Sequence, residues 1–486
     1  MTKLYKTTIA GMLCILLFAS CKKHEYYQEN PNSPSTATPS LLLTNILVST
    51  FSGVSLSSSY AVRHLTTYGA SNVNVNYNWT RSGFGTYVTL RQVYDMDSKA
   101  AATGEENYRA LAKFFKAYHY ASLTETFGDI PYTDAMKAGE GVISPKYDSQ
   151  KDVYIAILKE LEEANSMLDA TKGRIDGDII FGSKPVPVTQ WKKLINAFRL
   201  RLLIHLSKKE GDVTLNIKQQ FADIVSNPTK YPLMETNADN AQIVYNTSAT
   251  SNWYPTYQSV DLQTLISMEK GYVNILKDRN DPRLFSFAEP VSGQPEGVFT
   301  SYAGVDAGLS VSDQQSSSGK ASRIKARYFN NQVNEPSILL SYSEQELLIA
   351  EGIARGWATG PGTAKEHYDK GVTASMAFYG ITGTSATTYL AQPTVVFNAT
   401  NAVSLIAYQK YIGFFMNSGW EPFMEQRRTG VPTFGVGPAT ANGGKVPSRW
   451  MYPESELTYN DVNLKAALQS QFGGTDDINQ TMWLLK

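Results

Sequence analysis

The chain is poor in the residues that most often advertise chemistry. Among 486 residues there are two cysteines and five histidines, and 44 basic side chains balance 44 acidic ones. A balanced charge excludes the electrostatic footprint of a nucleic-acid binder or of a protein held on anionic lipid. The histidines (His24, His64, His119, His205, His367) are scattered, and none pair at metal-ligand spacing. No HExxH, CxxC, P-loop or GxSxG pattern occurs, so the sequence calls for no metal, no cofactor and no catalytic residue. Past the first residues no apolar run approaches the roughly 20 residues needed to span a bilayer. Two cysteines cannot build a disulfide framework, but 42% hydrophobic residues suffice for a core without one.

What the chain does have begins at its start. Lys3 and Lys6 precede an apolar run from Ile9 to Phe18, which closes on Ala19–Ser20–Cys21. A basic region, a short apolar core and small residues at the cut describe a secretory signal peptide over residues 1–20. Leu17–Phe18–Ala19–Ser20–Cys21 resembles the bacterial lipobox, with Phe18 where a smaller residue is usual. An ordinary signal peptide with a chance cysteine is the alternative. Cys14 leaves with the leader, so Cys21 stays as a lone thiol, and lipidation explains it. Several acyl chains on one residue make a durable membrane anchor, where one would not. Residues 21–39 are polar and proline-bearing, an extended flexible tether.

Residues 40–486 form the body. Helical spacing of apolar residues starts near Ser40 with Leu42, Leu43, Ile46 and Leu47. From about Thr66 to Thr89 the chain turns polar and aromatic and reads as a long loop. Helices follow over Glu105–Phe127, stopped by Gly128, over Lys151–Asp169 with Ser149 or Asp148 as cap, and over Trp191–Ser207 with Thr189 as cap. A loop-rich insert occupies roughly 226–334. Helical pattern resumes with a capping box at Ser343–Glu346 opening Leu347–Trp357, then a partner helix over Ala364–Tyr379. Small residues such as Ala350 and Gly352 facing Tyr368, Val372 and Met376 predict a mainly α, tetratricopeptide-like helix-pair scaffold without a regular period.

Several segments together resemble the SusD/RagB family of Bacteroidetes outer-membrane lipoproteins. They are Asn30–Pro34 with Thr38–Leu42, Tyr108–Ala110 with Phe127–Tyr132, and Asn280–Asp281–Pro282–Arg283. To these add Ser343–Glu351 with Arg355–Gly356, Gly419–Trp420–Glu421 with Arg427–Gly430, and Trp450–Glu456 with Asn460. Gly352 departs from the usual alanine-rich helix. The resemblance implies a lipid-anchored protein of the cell outer membrane that faces the exterior. It also implies non-catalytic binding of an oligomeric nutrient, most simply an oligosaccharide, and a SusC-like TonB-dependent transporter as partner.

Aromatics make up 12% of the chain, with 29 Tyr, 20 Phe and 7 Trp. Flat rings pack on the C–H faces of sugars, while amides and guanidinium groups bond hydroxyls. Two segments combine these features as ligand candidates: Asn76, Tyr77, Asn78, Trp79 and Arg81 in the long loop, and Trp253, Tyr254 and Tyr257 in the insert. Asp129 reads as a turn residue acting through its backbone, and Glu421 with Arg427 and Arg428 as an ion-paired corner. His119 and His205 fall within predicted helices as packing histidines. Two other functions stay open: a surface glycoside hydrolase using paired carboxylates, and a helical scaffold that binds only proteins.

Overall fold

The computed structural model describes residues 37–51 and 54–486, so the leader, Cys21 and most of the tether lie outside it. Pro39 sits in the first turn of α1 (Pro39–Thr50), where its fixed φ suits a helix start, and Thr38 accepts the Leu41 N–H. Leu42, Leu43, Ile46 and Leu47 are all buried, as their spacing predicts.

The loop expected to run to Thr89 ends earlier, because α2 (Thr86–Thr103) takes its last residues. That helix is polar in composition, yet Leu90, Val93, Met96 and Ala100 recur at helical spacing and are wholly buried. It packs on α3 (Glu106–Phe127), which packs in turn on α4 (Gln150–Met167). Gly128 ends α3 at φ +98°, and a Cβ there would sit 2.1 Å from the Gln471 side-chain oxygen. Ser149 caps α4 by accepting the Asp152 N–H at 3.1 Å.

Helix α5 (Pro187–His205) starts earlier than Trp191, with Pro187 in its first turn. Thr189 therefore lies inside the helix and caps nothing. The body of α5 is buried on every side, including the polar Asn196, Arg199, Arg201 and His205. Helix α6 (Ile217–Ser226) lies against α7 (Tyr342–Ala354), where a Cβ on Gly352 would meet the Phe221 ring at 2.2 Å. Thus the departure at Gly352 is a packing requirement. The cap of α7 is Ser341, not Ser343; its hydroxyl accepts the Glu344 N–H at 3.0 Å. Helix α8 (Ala364–Phe378) carries a complete Thr363–Glu366 capping box and buries Tyr368, Val372 and Met376 against α7. Helices α9 (Ala402–Gly413) and α10 (Glu421–Thr429) complete the scaffold around the site.

The insert holds short helices and two antiparallel strand pairs that tie it to its flanks. Strand β1 (Leu65–Thr67) pairs with β3 (Ile266–Met268), and β2 (Ala241–Ile243) with β4 (Ser337–Leu340). Helices α1 to α7 share one large core, α7, α8 and α9 enclose a smaller one around Tyr368 and Met376, and a tyrosine- and phenylalanine-rich core lies beneath the insert. Arg283 pins the insert to the scaffold. Wholly buried beside Asp281 at 2.6 Å, it also donates to Ser375 and Gln409, each at 2.8 Å. No helix among the described residues is long and apolar enough to cross a membrane.

Candidate ligand-binding cleft

A cleft of about 500 Å³ opens between the large scaffold core and the core beneath the insert. Its floor is charged. Arg201 and His205 come from the last turns of α5, Glu125 from α3 and Glu421 from the first turn of α10. Its wall is apolar and aromatic, with Tyr118, Phe198, Trp420 and Met424. Hydroxyls crowd the mouth: Ser49, Thr50, Thr86, Thr89, Ser122 and Ser418.

The floor is held by ion pairs. His205 sits between two carboxylates, with Nδ1 2.8 Å from Glu125 Oε1 and Nε2 2.9 Å from Glu421 Oε1. Arg201 makes a two-pronged contact with Glu344, at 2.6 Å through Nε and 2.8 Å through Nη2. Below them Lys410 Nζ lies 2.8 Å from Glu425, and Arg428 bridges Glu351 at 2.6 Å and Glu425 at 2.7 Å. Burial opposes a charge on His205, but the Glu421 and Glu125 carboxylates outweigh it and hold the imidazole well above its ordinary value. Burial likewise works to raise the Glu421 and Glu425 carboxyls. The cations around each, His205 and Arg201 for Glu421 and Arg428 and Lys410 for Glu425, bring both below the usual range. His119, in the wall, is lowered to about 4 by burial and is neutral, with Nε2 3.1 Å from the Thr50 hydroxyl.

Ion-paired carboxylates of this kind are poor general acids, which need a raised pKa. A metal ion is also poorly served. His205, Glu421 and Glu425 bring ligand atoms within 4.8 Å of one another. The Lys410 ammonium stands among them, 2.8 Å from Glu425 Oε1 and 4.0 Å from Glu421 Oε1, and supplies the cation already.

Residues 31–453 match the family described as SusD-like, starch-binding and associating with the outer membrane. The chain belongs to the SusD-like family. Solved relatives agree along nearly the whole chain. An outer membrane protein of Bacteroides vulgatus, associated with nutrient binding, is 37% identical with a TM-score of 0.85, covering 93% of this chain and 100% of its own. A SusD homologue from Bacteroides fragilis is 35% identical with a TM-score of 0.84, with the same coverage. A chitin-binding protein is 26% identical with a TM-score of 0.74, over 92% of this chain and 99% of its own. No curated protein sequence matches the chain.

The SusD-like chain distributes its predicted ligand residues unevenly, and none of them lines the cleft. Asn76 is buried; its side-chain oxygen accepts the Asn72 N–H at 3.0 Å, and its amide donates to Ala439 O at 2.8 Å. Tyr77 is buried with its hydroxyl donating to Ala61 O at 2.7 Å and the Arg63 guanidinium 4.2 Å over its ring. Trp79 is 6% exposed and stacks on Trp450 at 4.3 Å, with Phe423 at 5.1 Å and Trp420 edge-on at 5.8 Å. Its faces are thus covered by protein, and it acts on the cleft by backing Trp420. Arg81 is committed to Glu454 at 3.0 Å and to Asp476. Asn78 is exposed. In the insert Tyr254 is buried, while Trp253 and Tyr257 form a half-buried edge-to-face pair at 5.2 Å.

Three structural expectations are corrected here. His205 is an ion-paired group, not a packing histidine. The corner at Glu421 has different partners: Arg428 pairs with Glu351 and Glu425, and Arg427 donates to the backbone oxygens of Ser448 and Glu125 at 2.7 and 2.8 Å. Asp129 works through its side chain as well as its backbone, since Oδ1 accepts the Gln150 N–H at 2.8 Å. The missed floor did leave a trace in the sequence. Arg199, Arg201 and His205 sit in the otherwise apolar last half of this helix, Ala197 to His205, and charges there need buried partners.

Proposed function

We propose that the protein captures an oligosaccharide at the outer surface of the cell without cleaving it, and passes it to a SusC-like TonB-dependent transporter. In this reading residues 1–20 are removed, acylated Cys21 anchors the chain in the outer membrane, and residues 21–39 form the tether. The observation that carries it is the cleft itself: aromatic wall, hydroxyl mouth and a floor of ion-paired groups. Rings such as Trp420 and Tyr118 match the apolar faces of a pyranose, and Ser and Thr hydroxyls match its edges. The low-lying carboxyls of Glu421 and Glu425 favour binding over acid catalysis. Chitin binding by one relative and the starch-binding description of the family make β-linked N-acetylglucosamine oligomers and maltooligosaccharides the first ligands to try. Asn78, Trp253 and Tyr257 serve as outlying contacts for longer chains.

The test is calorimetric titration with both oligomer series, combined with chromatography of the ligand afterwards. Saturable binding with intact oligomers supports the reading. Ser122 is exposed at the mouth, so Ser122→Trp fills the cleft with little effect on the core and should abolish binding. Products that disappear with Glu125→Gln or Glu421→Gln would instead establish a hydrolase. Cys21→Ser should move the protein from the membrane fraction to the soluble one with its thermal transition unchanged.

A further inference from the structure

Every element packed against the cleft floor brings charged side chains to it. Helix α5 contributes Arg201 and His205, α3 Glu125, α7 Glu344 and Glu351, α9 Lys410, and α10 Glu421, Glu425, Arg427 and Arg428. That is five carboxylates and five cations, all buried apart from Arg427, which is partly buried. Each carboxylate has a cation within 4.0 Å, and Arg355, at the outer edge of α7, adds a second partner to Glu351 at 2.8 Å. Arg427, the one cation without a carboxylate in contact, lies below the lining; its two terminal nitrogens donate to the backbone oxygens of Ser448 and Glu125, and its Nε is buried without a partner. The neutral His119 adds no charge.

No charged group that lines the cleft, Glu125, Arg201, His205 or Glu421, is left without a counter-charge. A ligand anion would lose its hydration and find cations already bound to Glu344, Glu125, Glu421 or Glu425. A ligand ammonium would find carboxylates already bound to Arg201 or His205. Burying either without a partner is costly, while hydroxyl and amide groups need only the hydrogen bonds that the mouth supplies in number.

We infer that the cleft selects uncharged saccharides, neutral hexoses or N-acetylated hexosamines, and discriminates against uronates, sulfated sugars and free amino sugars alike. This rests on the cleft being the saccharide site proposed above, and it deepens that reading by naming the ligand class. It differs from a site with a surplus charge, which would favour one sign.

Matched pairs test it on the whole mature protein. Chitooligosaccharides are compared with fully deacetylated oligomers of the same length, and galactooligosaccharides with oligogalacturonides, by calorimetry at pH 7 and constant ionic strength. Within whichever pair binds, the uncharged member is expected to bind at least tenfold more tightly. Ser122→Lys places an unpaired cation at the mouth and should narrow the gap for the oligogalacturonide while widening it for the deacetylated oligomer. A charged member that binds as tightly as its neutral counterpart overturns the inference and leaves saccharide binding standing. Absence of binding by all four ligands and by maltooligosaccharides overturns both.

Discussion

Removing the Glu344 side chain puts the floor's electrostatics to a quantitative test. Arg201 is buried with Glu344 on two of its nitrogens, at 2.6 and 2.8 Å, and its next carboxylate, Glu421, is 3.7 Å away. Two unit charges about 4 Å apart attract by about 4 kcal/mol at an effective dielectric near 20. Glu344→Ala removes that attraction and strands a guanidinium that water cannot reach easily, so the expected loss is about 3–5 kcal/mol of stability. Replacing both partners, Arg201→Met with Glu344→Leu, removes the stranded charge. It leaves the Leu339 carbonyl, which now accepts from Arg201 at 2.8 Å, without its donor, at about 1 kcal/mol, and takes from Glu421 its more distant cation while His205 stays at 2.9 Å. The double variant should therefore be more stable than Glu344→Ala alone. Equilibrium urea unfolding followed by circular dichroism measures wild type, Glu344→Ala, the double variant and its two single parents, Arg201→Met and Glu344→Leu. A Glu344→Ala loss below about 1 kcal/mol, or a double variant whose loss equals the sum of the single ones, would refute the claim that this is a buried, mutually dependent pair.

Further expectations concern titration and packing. His205 has its folded pKa raised, so its contribution is full below the unfolded value near 6.5 and is lost as pH rises through the folded one. The gap in melting temperature between wild type and His205→Gln should accordingly shrink from pH 6 to pH 10; a gap that grows would reverse the assignment. Burial raises the Asp129 carboxyl to about 7, so its ionisation in the folded state weakens the protein between about pH 4 and 7. Asp129→Asn should gain on wild type in denaturation midpoint at pH 8 relative to pH 5, and an equal difference at both would argue for an exposed carboxylate. Trp79→Ala should cost about 3–5 kcal/mol as a core truncation, whereas Asn78→Ala should stay within about 0.5 kcal/mol; similar small effects for both would place Trp79 at the surface.

The scaffold was legible because its signals are local and redundant. Apolar spacing in α3, α4 and α8, the glycine stop at Gly128 and the Ser149 cap each point to one backbone outcome. Helix α2 escaped because its buried stripe is only Leu90, Val93, Met96 and Ala100 among threonines and aspartates. The cleft floor was not legible for a different reason. Glu125, His205, Glu344 and Glu421 are far apart in sequence, and no spacing rule joins groups that meet only through helix packing. Aromatic richness misled in the same way: Tyr77, Trp79 and Tyr254 look like ligand platforms in sequence, yet each is covered by neighbouring rings or backbone.

Several of the described segments that carry the family resemblance are, physically, fastenings. Asp281–Arg283 bolts the insert to α8 and α9. Tyr452 stacks on Phe127 at 5.6 Å and donates to Asp129 O at 2.7 Å, and Trp450 covers Trp79. Trp420–Glu421 closes the charged floor over His205. Each joins chain segments distant in sequence, so each tolerates little change in chemistry or size. The mouth of the cleft is made otherwise: apart from Thr50, whose hydroxyl partners buried His119, its Ser and Thr side chains can be replaced without leaving a buried group unpaired. It follows that ligand preference can shift at the mouth, at positions such as Thr89 and Ser122, without disturbing the fold. The fastened floor meanwhile keeps its charges mutually occupied.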